Sequence, residues 1–317
     1  MAETNDGTTA WAVLFPGQGS QEQGMGRDMA EADSEVMDLW KKAESITGAS
    51  LREIYWDGDQ EAMAETRYLQ PALTLTALSV WMRFSFRSYP DYLAGHSVGE
   101  YPALAAAGVL DPEQALELVA LRGRLMSEAG DQAPGKMIAA LKMEQDSVEE
   151  VVLQAREQTG QEICVANYNT PQQFALSGAV DAVDEAARLI KKRRGRAVPL
   201  PVSGAFHSAL MQEAAKELGS YMDRLSWADA RIPVHLNVTA QPEKSGEAIQ
   251  ERLKRQIVSP VLWSQTMRDQ WDRGVRTWLE FGPKGVLCRM LPHVLGKEKS
   301  WQAECVDSED KLQNLAG

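Results

Sequence analysis

The sequence predicts an α/β fold in which a small domain is inserted into a larger one. Three observations carry that prediction. Short apolar, β-favouring runs stopped by Gly or Pro alternate with helical patterns along most of the 317 residues. Between about residues 131 and 200 the order becomes strand-helix-strand-strand-helix-strand, the split βαβ pattern of ferredoxin-like units. At Gly95-His96-Ser97-Val98-Gly99, a serine with glycines two residues to either side stands between a strand and a helix. That is the Gly-x-Ser-x-Gly spacing of a nucleophile elbow, although spacing alone also fits a Gly-rich turn with a solvent-facing serine.

The bulk composition excludes several classes. With 44% hydrophobic and 25% charged residues, the chain reads as soluble and globular. No apolar run approaches the roughly eighteen residues of a membrane span. The polar stretch Met1–Ala10 has no apolar signal-peptide core. Cys164, Cys288 and Cys305 are widely spaced, match no metal-ligand pattern and suit a reducing compartment. The expectation is a cytoplasmic protein without metal. A net charge of −12 argues against nucleic acid as a partner. One local exception is Lys191-Lys192-Arg193-Arg194-Gly195-Arg196. It reads either as a helix C-terminus with cations on the dipole and Gly195 as cap, or as a docking patch for an acidic partner.

Taken in order, Trp11–Phe15 is apolar and stopped by Pro16-Gly17, the mark of a buried parallel strand. The loop Pro16-Gly17-Gln18-Gly19-Ser20-Gln21 lacks both Gly-Lys-Ser/Thr and a complete Gly-x-Gly-x-x-Gly, so it is not read as a nucleotide cradle. It can bring a backbone N–H close to a neighbouring site. Helices are expected over Met29–Ile46, over Gln70–Phe86 from a start at Pro71, over Glu100–Leu110, and over Glu113–Met126 after Asp111-Pro112. The inserted unit reads as strands Lys136–Leu141, Ile163–Asn167, Phe174–Ser177 and Ala197–Val202 with helices Glu144–Gln158 and Val180–Arg194. Beyond it come a helix from Ala209 to Leu225, a strand Ile232–Val238 containing Asn237, and helices Glu247–Ile257 and Val261–Gly274. A strand Arg276–Phe281 and a short helix Gly285–Leu295 follow, and Gly296–Gly317 reads as a polar, partly disordered tail.

A serine needs a base, and histidine is the usual one at neutral pH. Of four histidines, His96 adjoins the serine and reads as core, His235 falls in a strand pattern and His293 stands beside Pro292. His207 sits in a Gly-containing loop where the chain leaves the small unit, so it is the base candidate. No Asp or Glu presents itself as a third member, which leaves a backbone carbonyl to orient the ring. For an oxyanion, the N–H of Val98 is one donor and Gln18 a second. Arg122 could read a substrate carboxylate by a bidentate pair, although its position alone suits a solvated helix face.

Six motifs now stand in a fixed order. They are Phe15-Pro16-Gly17-Gln18-Gly19-Ser20-Gln21, Gly95-His96-Ser97-Val98-Gly99-Glu100, Leu121-Arg122-Gly123, Asn167-Tyr168-Asn169-Thr170-Pro171, Ala205-Phe206-His207-Ser208 and Gln256-Ile257-Val258-Ser259-Pro260-Val261. From about Val13 to Leu291 the chain resembles the malonyl-CoA:acyl carrier protein transacylases and the acyltransferase domains of fatty-acid and polyketide synthases. The resemblance implies Ser97 as nucleophile, His207 as base oriented by the Gln256 carbonyl, and Gln18 and Val98 as oxyanion positions. It implies that Arg122 pairs with the malonyl carboxylate and that Asn167 lines the cleft. Phe206 before the histidine resembles malonyl-selective members. The implied fold is an α/β-hydrolase-like large domain, with a central mostly parallel sheet, over residues 11–130 and 201–295. A ferredoxin-like domain fills 131–200, and 1–10 and 296–317 are polar tails. The implied reaction is ping-pong transfer of malonyl from malonyl-CoA, a substrate and the only small molecule expected, to the phosphopantetheine thiol of an acyl carrier protein. That carrier would dock near Lys191, Lys192, Arg193 and Arg194. Competing readings are a trans-acting polyketide acyltransferase, a serine thioesterase or esterase, and a non-catalytic carrier-binding scaffold. Two departures stand out: Gly282-Pro283-Lys284-Gly285 replaces the family's Gly-Pro-Gly-Lys, and Val98 replaces a commoner leucine.

Overall fold

A computed structural model describes residues 9–84, 89–296 and 300–316. Among these, ten strands form two sheets: β1 (Ala10–Phe15), β2 (Tyr92–Gly95), β3 (Gly135–Leu141), β4 (Ile163–Thr170), β5 (Gln173–Ala179), β6 (Arg196–Pro199), β7 (Val234–His235), β8 (Pro242–Glu243), β9 (Val275–Phe281) and β10 (Gln302–Val306). The first sheet runs β10-β9-β1-β2-β7-β8, parallel except for its last pair. Val13, Leu14 and Phe15 of β1 are fully buried because helices cover both faces, as parallel sheets require. The second sheet, β4-β5-β3-β6, is antiparallel throughout and falls inside the 131–200 span.

Strand alternation explains how the two sheets share the interior. On β3, Met137 joins the main core while Ile138 joins a separate core under the small unit's helices Gln145–Thr159 and Val180–Lys192. Ala175 against Phe174 and Leu176 on β5 repeats the pattern. A short parallel bridge ties the small sheet to the main body. The Tyr168 N–H donates to the Val261 carbonyl at 2.9 Å, and the Val261 N–H donates to the Ala166 carbonyl at 2.8 Å.

Several expected boundaries move, each for a physical reason. The stretch Met29–Ile46 is two helices, Arg27–Ala32 and Ser34–Thr47, because the Asp33 side chain caps the second. The long helix begins at Thr66 rather than Pro71 and runs to Arg83. Pro71 inside it forfeits one backbone hydrogen bond, but the helix is apolar almost all round and buried, so packing outweighs the loss. Its expected end at Phe86 lies outside the described residues, as do 1–8 of the amino-terminal tail. The helix capped by Asp111 extends from Pro112 to Gln132, carrying Gly130 in its last turns. Strand β7 covers only Val234–His235, which leaves Asn237 in the loop beyond it. At the basic cluster, Arg194 takes the left-handed conformation, with φ 63°. Gly195 is needed instead for space, since a Cβ there would come within 2.5 Å of Met143 Sδ.

The carboxyl-terminal segment is the largest correction. Gln302–Val306 adds an edge strand to β9, and Glu309–Ala316 is a helix docked on the main body. Arg83 holds it, pairing with Glu309 at 2.5 Å and with Asp33 at 3.1 Å. High polarity hid a strand whose outer edge faces solvent. At Gly282-Pro283-Lys284-Gly285 the turn places the non-glycine Lys284 at φ 67°.

Candidate active site

The carboxyl ends of β1, β2 and β7 meet at Ser97, where open parallel sheets bind their ligands. Tight spacing builds the elbow. A Cβ on Gly95 would fall 1.9 Å from the Gly99 carbonyl, and one on Gly99 would fall 2.1 Å from the Phe15 oxygen. The backbone strain of the elbow sits on Ser97 itself, at φ 53°. A left-handed residue with a side chain costs about 1–3 kcal/mol, so its neighbours must hold it. Asn237 does so from both sides: Ser97 N–H donates to its Oδ1 at 2.7 Å, and its Nδ2 donates to the Gly95 carbonyl at 2.6 Å.

Ser97 and His207 come together at 2.8 Å, Oγ to Nε2. The other ring nitrogen, Nδ1, lies 3.0 Å from the carbonyl oxygens of both Gln256 and Ser259. Carbonyls only accept, so Nδ1 carries the proton and Nε2 is left to accept the serine hydroxyl. A pair of carbonyls thus stands where a triad acid would, one more than the sequence suggested. His207 is itself left-handed, at φ 56°, and its carbonyl accepts from the Cys164 thiol at 3.3 Å. Burial, then the charge of Arg122, lowers its pKa to about 3, so the ring is a neutral base through the physiological range.

Arg122 is 1% exposed, not a solvated helix-face residue. Its Nη1 donates to Gln70 Oε1 at 2.6 Å; its Nη2 donates to Gln256 Oε1 at 3.0 Å and to Ser97 Oγ at 3.2 Å. The guanidinium also lies 5.6 Å from the centre of the Tyr101 ring. It makes no ion pair among the described residues, and its buried Nε has no partner there. Gln18 and Val98 line the same cleft. Neither of their backbone N–H groups donates to another protein group among the described residues, which suits them to an incoming oxyanion.

The cleft holds about 130 Å³, and Met126, Met137, Asn167, Leu200, Val202 and Phe206 are among its other walls. Every sequence-predicted site residue therefore borders this cleft or, for Gln256, touches the residues that do. His96 does not sink into the core. It is partly buried, packs edge-on against Trp263 with ring centres 5.4 Å apart, and its Nε2 meets Asn169 Oδ1 at 2.8 Å. It thereby clasps the elbow to β4 of the small sheet. Asn237, Gln70, Asn169 and Ser259 had no assigned role in the sequence. Asn169 and Ser259 stood inside quoted motifs without a role of their own, and for Asn237 and Gln70 the one signal was polarity beside apolar residues, which does not separate a buried position from a surface one. No three His, Cys, Asp or Glu side chains gather as a metal site among the described residues.

A nucleophilic serine with a histidine base and open N–H donors, at the end of a parallel sheet, defines a serine acyl-transfer enzyme. Comparison with known proteins narrows this. An acyl transferase domain family matches residues 12–309. A malonyl CoA-acyl carrier protein transacylase of Bacillus subtilis is 38% identical over 285 residues, 89% of this chain and 90% of that one. The structure of an acyl carrier protein S-malonyltransferase from Vibrio cholerae superposes with a TM-score of 0.89 at 35% identity, covering 97% of this chain and all of that one. A malonyl-transacylase solved in complex with a type II polyketide acyl carrier protein gives 0.89 at 33% identity, over 96% and 98% of the two chains. The chain belongs to the malonyl CoA-acyl carrier protein transacylase family of acyltransferases.

Proposed function

We propose that this chain carries a malonyl group from malonyl-CoA to the phosphopantetheine thiol of an acyl carrier protein, through an ester on Ser97. The observation that carries the malonyl reading is Arg122. A buried cation without an anionic partner is costly, and this one lies 3.2 Å from the nucleophile. A carboxylate on the acyl group supplies the missing charge.

The chemistry follows from the contacts. Ser97 Oγ attacks the thioester carbonyl as its proton passes to His207 Nε2; the Gln18 and Val98 N–H groups receive the oxyanion; the imidazolium returns the proton to the departing CoA sulfur. The carrier thiol then reverses these steps. No other cofactor takes part. Asn167 and Phe206 shape the acyl pocket. A fatty-acid carrier is the first expectation, and the relative bound to a polyketide carrier makes that class the second.

The carrier docks, on this reading, at the basic end of the small sheet. Lys191, Lys192, Arg194 and Arg196 are exposed and make no ion pair within 4 Å among the described residues. Arg193 belongs to the fold instead, pairing with Glu150 at 2.7 Å, so it leaves the docking set. No helix among the described residues is long and apolar enough to cross a membrane. We place the protein in the cytoplasm with its carrier.

Intact-mass measurement after incubation with malonyl-CoA or acetyl-CoA tests the reading. One malonyl adduct is expected, absent in Ser97→Ala, with acetyl-CoA labelling far less. Equal labelling by both would remove Arg122 from the substrate. Rapid release of free malonate without a carrier would favour a thioesterase.

A further inference from the structure

Glu100 closes the elbow motif, and nothing in the dyad chemistry uses it. It is 2% exposed, directly after the turn that carries Ser97. Its Oε1 accepts the Asn237 backbone N–H at 3.1 Å, and its Oε2 accepts Gln256 Nε2. Gln256 Nε2 gives its second proton to the Ser97 carbonyl at 2.9 Å.

These contacts settle the direction of one amide. Glu100 and the Ser97 carbonyl are acceptors, so both protons of the Gln256 side chain are spent on that side. Its oxygen must then face Arg122, which can only donate. Were the amide reversed, its NH₂ would oppose the guanidinium, and the Ser97 carbonyl would lose its side-chain donor. The amide also stands between acid and base: Glu100 and Arg122 make no direct ion pair, although each feels the other's charge.

We infer that Glu100 is the positioning residue that sets the Gln256 amide, and through it the guanidinium of Arg122, for a carboxylated acyl group. The inference rests on the acyl-transfer reading for its kinetic consequence, but not for its geometry. Compared with wild type above pH 7, where the Glu100 carboxyl is ionised, Glu100→Gln is the informative change because it keeps size and burial while ending the acceptor-only character. A glutamine at this position must present NH₂ either to the Asn237 N–H or to Gln256 Nε2. The second option turns the Gln256 amide over and sets two donors against each other at Arg122.

The expected result separates selectivity from folding. Burial pushes the Glu100 carboxyl up to about 7, so loss of this disfavoured charge should offset most of the cost of the opposed donors and leave the melting temperature close to wild type. Malonyl-CoA acylation of Ser97 should fall by roughly 10- to 100-fold in kcat/KM, the range expected for a hydrogen bond to a charged group. Acetyl-CoA acylation should change less than threefold. A purely structural residue would instead lower melting temperature and both rates together, and that outcome overturns the inference. So does a malonyl-to-acetyl preference within twofold of wild type. A crystal structure of Glu100→Gln gives a readout independent of activity. Arg122 Nη2 displaced from Gln256 Oε1 upholds the positioning role; Arg122 unmoved ends it. If the wild type itself takes no malonyl group, the functional reading fails while the crystallographic arm still decides this inference.

Discussion

At the carboxyl end of the parallel sheet, Ser97, His207, Arg122, Gln256 and Glu100 share one buried network in which nearly every donor has a named acceptor. At the far end of the small antiparallel sheet, Lys191, Lys192, Arg194 and Arg196 point into solvent without partners within ion-pair reach among the described residues. Both regions are built from charge, on opposite terms. In the first, low dielectric makes each contact strong and each loss expensive. In the second, water screens the charges, so they add little to folding and remain available to another molecule. Geometry is the asset of the buried site; reach is the asset of the exposed one. A transacylase needs both, since a fixed nucleophile must serve a mobile carrier.

The deepest break falls on the buried side. His207→Gln removes the acceptor of the serine proton yet keeps a polar side chain of similar size. Single-turnover acylation should drop by roughly 10³- to 10⁴-fold, the span of general-base catalysis together with loss of the ordered pair. Binding of malonyl-CoA should weaken little, because Arg122 stays. A loss under tenfold would show that Nε2 is not the base.

How far these regions could be read in advance differs in the same sense. Ser97 and His207 were legible because each stands in a glycine-punctuated loop at an element boundary, a local signal. The helix start at Asp111 was legible too, since its cap is written in adjacent residues, with the Gln114 N–H donating to Asp111 Oδ1 at 2.9 Å. Asn237 was not: it acts on Ser97 across 140 residues, and nothing near it distinguishes a buried clamp from an ordinary loop asparagine. Arg122 looked exposed for the same reason, because Gln70 and Gln256 that enclose it arrive from distant segments. The edge strand Gln302–Val306 was missed because a one-sided edge carries too few apolar residues to announce itself. In the basic cluster, local reading found the charges but could not see that Glu150 claims Arg193. Short-range chemistry is written in the chain; long-range partnership is not.

The buried side also answers to pH. Burial holds His207 near 3, against about 6.5 for an unfolded histidine. Below pH 6.5 the unfolded chain gains a proton that the native ring refuses, so this group's contribution falls as pH drops from about 6.5 towards 3 and is constant above. Raw stability will not display this cleanly. Glu100 and Glu280, both pushed up to about 7 by burial, act in the opposite sense by favouring the native state as they protonate. The difference between wild type and His207→Gln isolates the term. Urea unfolding at pH 7.5 and at pH 4.5 should show the variant gaining a few kcal/mol relative to wild type at the lower pH. An unchanged difference would mean the ring titrates like an exposed histidine.

The smallest effects belong to the exposed side, where salt rather than pH is the probe. Reversing Lys191, Lys192, Arg194 and Arg196 together to Glu should raise the KM for carrier protein by about tenfold at low ionic strength. That difference should shrink as salt screens it. Malonyl-CoA acylation of Ser97 should stay within twofold, and melting should barely move, because these side chains make no ion pair among the described residues. Arg193→Glu alone is the internal control. It breaks the pair with Glu150, so it should cost up to about 1 kcal/mol of stability while leaving the carrier KM near wild type. Were acylation itself to fall in the fourfold reversal, the patch would be reading the phosphates of CoA, and docking of the carrier would have to be sought elsewhere on the cleft's rim. Were Arg193→Glu to raise the carrier KM as much as the other four together, the division between folding charge and docking charge would fail at the one residue that stands between them.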